Sequence, residues 1–236
     1  MSAAAPPIVF LPGFDGEATL RAEFLEALAL DHAVVGVTYP PRTLGTLDNY
    51  RLSAMGQVPV DWHPVLVAES FSGLVAARWA AVDPRVAGVV LCASFARNPV
   101  GAAAALGASL PSLVKLGPEF LRPLAALSGD AARSRWSRGL ARTMRALPPA
   151  VVAERLRLLG REDAGEGLAR LRVPLLLVQF EDDRVVGRAA RDHLEAVCHN
   201  AHVLRLPGPH FALETRPREC AAAIGERIRA LAPSHA

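Results

Sequence analysis

A serine flanked by small residues stands at Ser70, in the run Val65-Leu-Val-Ala-Glu-Ser-Phe-Ser-Gly73. The run reads as an apolar strand passing directly into an amphipathic helix. A serine at such a junction is forced into strained dihedrals with its hydroxyl presented outward. Its flanking residues must be small, as Ala68, Ser72 and Gly73 are. The strict pattern is G-x-S-x-G, and here Ala68 and Ser72 occupy the glycine positions. Taken alone, the same run would also suit an N-cap serine at the start of an ordinary helix.

Three further loops supply what a serine nucleophile needs. Leu11-Pro-Gly-Phe-Asp-Gly16 is glycine-punctuated and follows an apolar strand. Such a loop can bring a backbone N–H close to a reacting carbonyl, and the amides of Phe14 and Phe71 would form a two-donor oxyanion hole. Glu181, Asp182 and Asp183 follow the next-to-last strand, at the ligand edge of a parallel sheet. Asp183, followed directly by Arg-Val-Val, is the expected acid, with Asp182 the alternative. His210 lies in the stiff loop Pro207-Gly-Pro-His-Phe211 after the last strand. The remaining histidines, His32, His63, His193, His199, His202 and His235, are expected at the surface. Oxyanion loop, serine, acid and histidine thus follow one another at strand ends, in the chain order of a hydrolase built on this kind of sheet.

The elements that must position these residues alternate regularly. Strands are expected at Ile8–Leu11, Ala33–Thr38, Val65–Ala68, Val86–Leu91, Val173–Val178 and His202–Leu206, most of them nearly continuous apolar runs covered on both faces. Helices are expected at about Leu20–Leu30, Phe71–Val82, Arg188–Val197 and Arg218–Leu231. Strand–helix alternation at this spacing means a mainly parallel six-stranded α/β sheet with helices on both faces. Residues 97–171 break the rhythm, with helical pieces at Gly101–Leu106, Pro118–Leu127, Ala131–Leu147 and Ala150–Leu159. One crossover needs only about a dozen residues, so this segment reads as a small helical cap within a single domain, 1–236.

Composition narrows the function. With 236 residues, 51% hydrophobic and 21% charged, the chain suits one globular domain. It has no apolar run long enough to span a membrane, and Met1–Pro7 lacks the basic-then-apolar pattern of a signal peptide. Net charge is only +3, with acids interspersed among basic residues that are all arginine except Lys115. Nucleic acid is therefore not an expected partner. Cys92, Cys198 and Cys220 show neither disulfide nor metal-ligand spacing. No metal or cofactor is expected, and the reducing cytoplasm is the default location.

On these motifs the chain resembles the α/β-hydrolase superfamily over nearly its whole length. Leu11–Gly16 looks like the oxyanion loop, Ala68–Gly73 like the nucleophile elbow, and Asp183–Val186 and Pro207–Phe211 like the acid and histidine loops. The Glu-Ser-Phe-Ser-Gly elbow is similar to that of compact bacterial serine hydrolases, although Glu69 stands where the family more often has His or Gln. The resemblance implies a serine esterase or thioesterase with Ser70, His210 and Asp183 as its triad and an acyl-enzyme intermediate. Acyl transfer, perhydrolysis, C–C hydrolysis and a catalytically weak ligand receptor are the alternatives on the same scaffold. Leu106, Leu110, Leu113, Leu116, Phe120, Leu121 and Leu124 in the cap would suit an apolar acyl group. Arg135, Arg138, Arg142 and Arg145 form a helical stripe that could meet an acyl carrier protein or the phosphates of CoA, although a solvated face is the plainer reading.

Overall fold

The computed structural model describes residues 5–99 and 142–231. Its strands are β1 (Ile8–Leu11), β2 (Val34–Gly36), β3 (Val65–Glu69), β4 (Gly88–Cys92), β5 (Leu175–Phe180) and β6 (His202–Leu206). They form one sheet in the order β2-β1-β3-β4-β5-β6, and every pairing is parallel. Parallel neighbours cannot be joined by a hairpin, so the connections carry helices. These are α1 (Ala22–Leu28), α2 (Leu47–Met55), α3 (Ser72–Val82), α4 (Pro149–Arg161), α5 (Gly165–Ala169), α6 (Arg188–Val197), α7 (Ala212–Thr215) and α8 (Pro217–Leu231). The α/β architecture expected from the alternation is the one observed.

The inner strands β1, β3, β4 and β5 are buried along their full length. Successive side chains point to opposite faces, so each strand feeds two cores. Val9, Leu66, Val89 and Leu177 pack with Tyr50 of α2 and Leu74 and Trp79 of α3. Ile8, Val67, Val90 and Leu176 pack with Phe24 of α1 and with Ile224 and Ile228 of α8. Each such side chain contributes about 1.5–3 kcal/mol by leaving water. The result is a stiff platform whose C-terminal edge carries the loops of interest.

The outer strands differ from the sequence expectation. The stretches 33–38 and His202–Leu206 both read as strands covered on two faces. In the structure β2 is confined to Val34–Gly36 and only half-buried, and β6 exposes His202, Val203 and Arg205. Both are sheet edges. On β6 the exposed His202 and Arg205 also discourage pairing with another chain. Helix α2 is not among the elements expected from sequence, because Asp48, Asn49, Arg51 and Ser53 mask its apolar face. Its start is nonetheless marked by Thr46, whose side chain accepts from the Asn49 N–H at 3.2 Å.

Of the expected cap, residues 100–141 lie outside the described residues. With them go the leucine-rich stretch, Arg135 and Arg138. The described remainder is a helical stretch over 142–146 followed by α4 and α5. An antiparallel bridge between Arg97 and Asp163 ties it back to the end of β4. Leu158, Leu159 and Leu168 join the core under α3, so α4 and α5 also cover the sheet. No helix among the described residues is long and apolar enough to cross a membrane.

Candidate active site

Strand β3 ends at Glu69 and α3 begins at Ser72, leaving Ser70 to turn the chain at φ +50°. For a residue with a Cβ this left-handed conformation costs about 1–2 kcal/mol. Neighbouring bonds hold it there. The Ser70 N–H donates to the Cys92 carbonyl at 2.9 Å, and Ser94 Oγ donates to the Ser70 carbonyl at 2.9 Å. A Cβ at residue 73 would lie 1.9 Å from Ser94 Oγ, so only glycine lets α3 approach β4 this closely. Ser72 stands at the other glycine position of the pattern and makes use of its hydroxyl. It donates to the Pro12 carbonyl and accepts from the Tyr39 hydroxyl at 2.7 Å, joining the elbow to the loop after β1. Burial pushes the Tyr39 phenol well above its ordinary pKa, so it stays a donor.

Three sequence-predicted residues converge at this elbow. His210 Nε2 lies 3.2 Å from Ser70 Oγ, and His210 Nδ1 lies 2.8 Å from Asp183 Oδ2. The other Asp183 oxygen accepts the N–H groups of Val185 and Val186, both at 2.8 Å. An ionised carboxylate only accepts, so the proton of a neutral His210 belongs on Nδ1, which leaves the Nε2 lone pair facing Ser70. Asp183 and His210 are buried, while Ser70 remains partly exposed. Glu181 and Asp182 are exposed, which separates Asp183 from its two neighbours. The acid and histidine loops are stitched together by the Asp182 N–H, which donates to the Gly208 carbonyl at 3.0 Å.

Of the other histidines, His63, His199 and His202 are exposed, His193 is half-buried and His235 lies outside the described residues. His32 departs from the surface expectation. It is buried, with Nδ1 2.9 Å from the Pro6 carbonyl, and it pins the lead-in to β1.

The two expected oxyanion donors flank the elbow. Neither the Phe14 nor the Phe71 backbone N–H donates to another group among the described residues. The Phe14 and Phe71 rings meet edge to face at 6.3 Å, and the Tyr50 ring packs on Phe71 at 5.4 Å. These ring contacts hold the two peptides against each other.

Two buried arginines were not singled out from sequence. Arg155 of α4 donates through NH1 to the Phe14 carbonyl at 2.6 Å and through Nε to the Tyr50 hydroxyl at 3.1 Å. Its guanidinium lies 5.8 Å from the Tyr39 ring centroid and 5.5 Å from that of Tyr50. Beside it, Glu154 accepts from the N–H groups of Leu44 and Gly45 at 2.8 and 2.6 Å and from the Tyr50 hydroxyl at 3.1 Å. Arg21 makes close ion pairs with Asp15, Glu69 and Glu214 at 2.7, 2.6 and 2.9 Å. A signal for both exists in the helical period. Arg21 shares a stripe with Phe24 and Leu28, and Glu154 and Arg155 share one with Val151 and Leu158.

Cys92, Cys198 and Cys220 are free and buried. Burial pushes the Cys198 thiol up to about 11 and the Cys220 thiol up to about 12. A recess lined by Arg172, Val197, His199 and His202 opens at the N-terminal ends of β5 and β6, remote from Ser70.

A serine elbow after β3, an acid after β5 and a histidine after β6, all at one edge of a parallel sheet, define a hydrolase-type scaffold. Residues 8–223 match the sequence model of the alpha/beta hydrolase family, and the chain belongs to that family. Similar solved structures include an esterase from Exiguobacterium antarcticum, with TM-score 0.82 and 13% identity over 96% of this chain and 92% of that one. An esterase from Rhodococcus sp. ECU1013 aligns with TM-score 0.77 and 22% identity over 97% and 92%. The enol-lactonase from Burkholderia xenovorans LB400 aligns with TM-score 0.69 and 17% identity over 96% and 91%. At these identities the likeness speaks for the fold. No curated protein sequence matches the chain.

Proposed function

We propose that the protein is a serine hydrolase that cleaves a carboxylic ester or thioester through Ser70, His210 and Asp183. The observation that carries this reading is the unbroken contact chain from Ser70 Oγ through both ring nitrogens of His210 to Asp183. A serine hydroxyl is a weak nucleophile at neutral pH. As Ser70 Oγ bonds to the acyl carbon, its proton passes to His210 Nε2. Asp183 holds the imidazole in orientation and stabilises the imidazolium. The carbonyl oxygen becomes an anion that accepts from the Phe14 and Phe71 amides. The bond to the alcohol or thiol then breaks, and the leaving group takes the proton from His210. Water repeats the sequence on the acyl-enzyme and regenerates Ser70.

Esterases and a lactonase among the structural relatives fit an oxygen-ester substrate with an apolar acyl part. A carrier-linked thioester is the second arm, motivated by the exposed Arg142 and Arg145. The unpaired, buried cysteines fit residence in the reducing cytoplasm.

The test is labelling with a fluorophosphonate probe, followed by turnover of p-nitrophenyl esters of increasing acyl length and of acyl-CoA. Wild type is expected to label at Ser70 and to show an acyl-length optimum. Ser70→Ala is expected to lose both, with turnover falling on the order of a million-fold. Undiminished ester hydrolysis by Ser70→Ala would overturn the reading.

A further inference from the structure

Arg21 is sealed from solvent, and so are the three carboxylates around it, with side-chain exposures of 1% for Arg21, 3% for Asp15, 1% for Glu69 and 1% for Glu214. Each nitrogen of the guanidinium meets a different carboxylate. NH1 lies 2.7 Å from Asp15, Nε 2.6 Å from Glu69 and NH2 2.9 Å from Glu214. The three partners come from three distant segments, and each segment carries one part of the candidate site. Asp15 directly follows Phe14, Glu69 directly precedes Ser70, and Glu214 lies in α7, one turn beyond His210. NH1 also donates to the Glu17 carbonyl at 3.2 Å, which fixes the arginine to its own loop.

We propose that Arg21 is a positioning residue that sets the oxyanion loop, the nucleophile and the general base relative to one another. The proposal rests on the serine-hydrolase reading of the site. Its physical basis is that a guanidinium is planar and rigid, with donors at fixed angles. Asp15 takes one such directed hydrogen bond from NH1, and Glu69 and Glu214 are held by the same cation as close ion pairs, so the three segments share one anchor. A merely stabilising role is a poor account of the cluster. Buried ion clusters lose about as much in desolvation as they gain in attraction, and apolar replacements are often equally stable. Gly13 fits the same picture, because a Cβ there would lie 3.2 Å from Arg21 NH2 and 3.5 Å from the Glu69 carboxyl. The loop is left bare where the guanidinium passes.

Arg21→Met alone would strand three acids in the interior. The test therefore uses Arg21→Met combined with Asp15→Asn, Glu69→Gln and Glu214→Gln, which removes the charges together, and Arg21→Lys, which keeps the charge but loses the plane. The combined variant is expected to fold with wild-type near-UV dichroism and to lose about 10²-fold in kcat with little change in KM. That is the scale of a misplacement of about 1 Å between reacting groups. Arg21→Lys should fall between it and wild type. The low-field proton resonance of the His210–Asp183 hydrogen bond should shift in both variants, a readout that needs no substrate. A folded combined variant with wild-type kcat and an unmoved resonance would overturn the proposal. If wild type itself neither labels at Ser70 nor turns over esters, the hydrolase reading fails. The resonance then still decides whether Arg21 sets the His210 loop.

Discussion

Arg21 and Arg155 press on the same loop, Leu11–Gly16, from two different elements, and they are neutralised in opposite ways. Arg21 meets three carboxylates, one of which, Glu214, has its pKa pushed up by burial. Arg155 bonds to a carbonyl and a phenol, and its NH2 has no hydrogen-bond partner among the described residues. The first arginine gathers the segments that carry the proposed nucleophile, base and oxyanion donor. The second joins α4 to the Phe14 peptide and to Tyr50 of α2. Each has its own glycine. A Cβ at Gly13 would meet Arg21, and one at Gly16 would lie 2.8 Å from the Arg155 guanidinium. The loop's glycines thus serve the arginines as well as the turn. One hub ties the loop to the end of β3, and the other ties it to α4.

The largest expected effect separates the two hubs most sharply. Arg21→Met leaves buried carboxylates unpaired and should cost about 3–5 kcal/mol, seen as a lower midpoint in urea unfolding. Arg155→Met removes donors to the Phe14 carbonyl and the Tyr50 hydroxyl without stranding an acid on its own guanidinium. It should cost about 1–3 kcal/mol by the same measurement. Its kcat should fall less than that of the combined Arg21 variant, because the segments carrying Ser70 and His210 keep their common anchor. Equal losses in the two arginine variants would erase the distinction between the hubs.

Gly16→Ala should cost about 1–2 kcal/mol, because the backbone there sits at φ +79° and the added Cβ crowds Arg155. Gly13→Ala, with no positive φ and a looser contact, should cost less. Thermal melts of the two variants side by side would show the order.

The smallest change at low pH is expected for Glu214→Gln. Burial, with Glu69 and Asp15 nearby, pushes the Glu214 carboxyl well above its ordinary value of 4.5 despite the counteracting Arg21. Its folded pKa is therefore raised, so its contribution is fully present below the unfolded value and is lost as pH rises through the folded one. Glutamine mimics the protonated acid. The variant and wild type should melt together below about pH 4, and the variant should become the more stable as pH rises above that. Parallel melting curves across that range would mean the cluster's proton sits elsewhere.

What sequence revealed and what it hid follow from how each residue is encoded. Ser70 was legible because an elbow needs small neighbours at fixed offsets, and offsets survive in one dimension. Asp183 emerged from three adjacent acids by its Arg-Val-Val context, and its burial against exposed Glu181 and Asp182 accounts for the difference. Glu69 was noticed only as a departure from the usual elbow. Its partner Arg21 is far away in the chain and becomes its neighbour only once β1 pairs with β3. Arg155 shares its helix with Arg157 and Arg161, and its residue type does not distinguish it from them. The edge character of β2 and β6 was hidden because sheet order is not written in any single strand.

The sheet order also bears on how the chain reaches its active form. Ser70 and His210 are 140 residues apart, and every strand pairing is a parallel crossover. Such non-local contacts form slowly, because chain ends must meet before any bond rewards them. β6, which leads into the histidine loop, has a single strand neighbour, β5. A refolding chain can therefore assemble its central strands and still lack His210 beside Ser70. Recovery of the proposed hydrolase activity would then clock the docking of the C-terminal edge, later than any spectroscopic signal from the core.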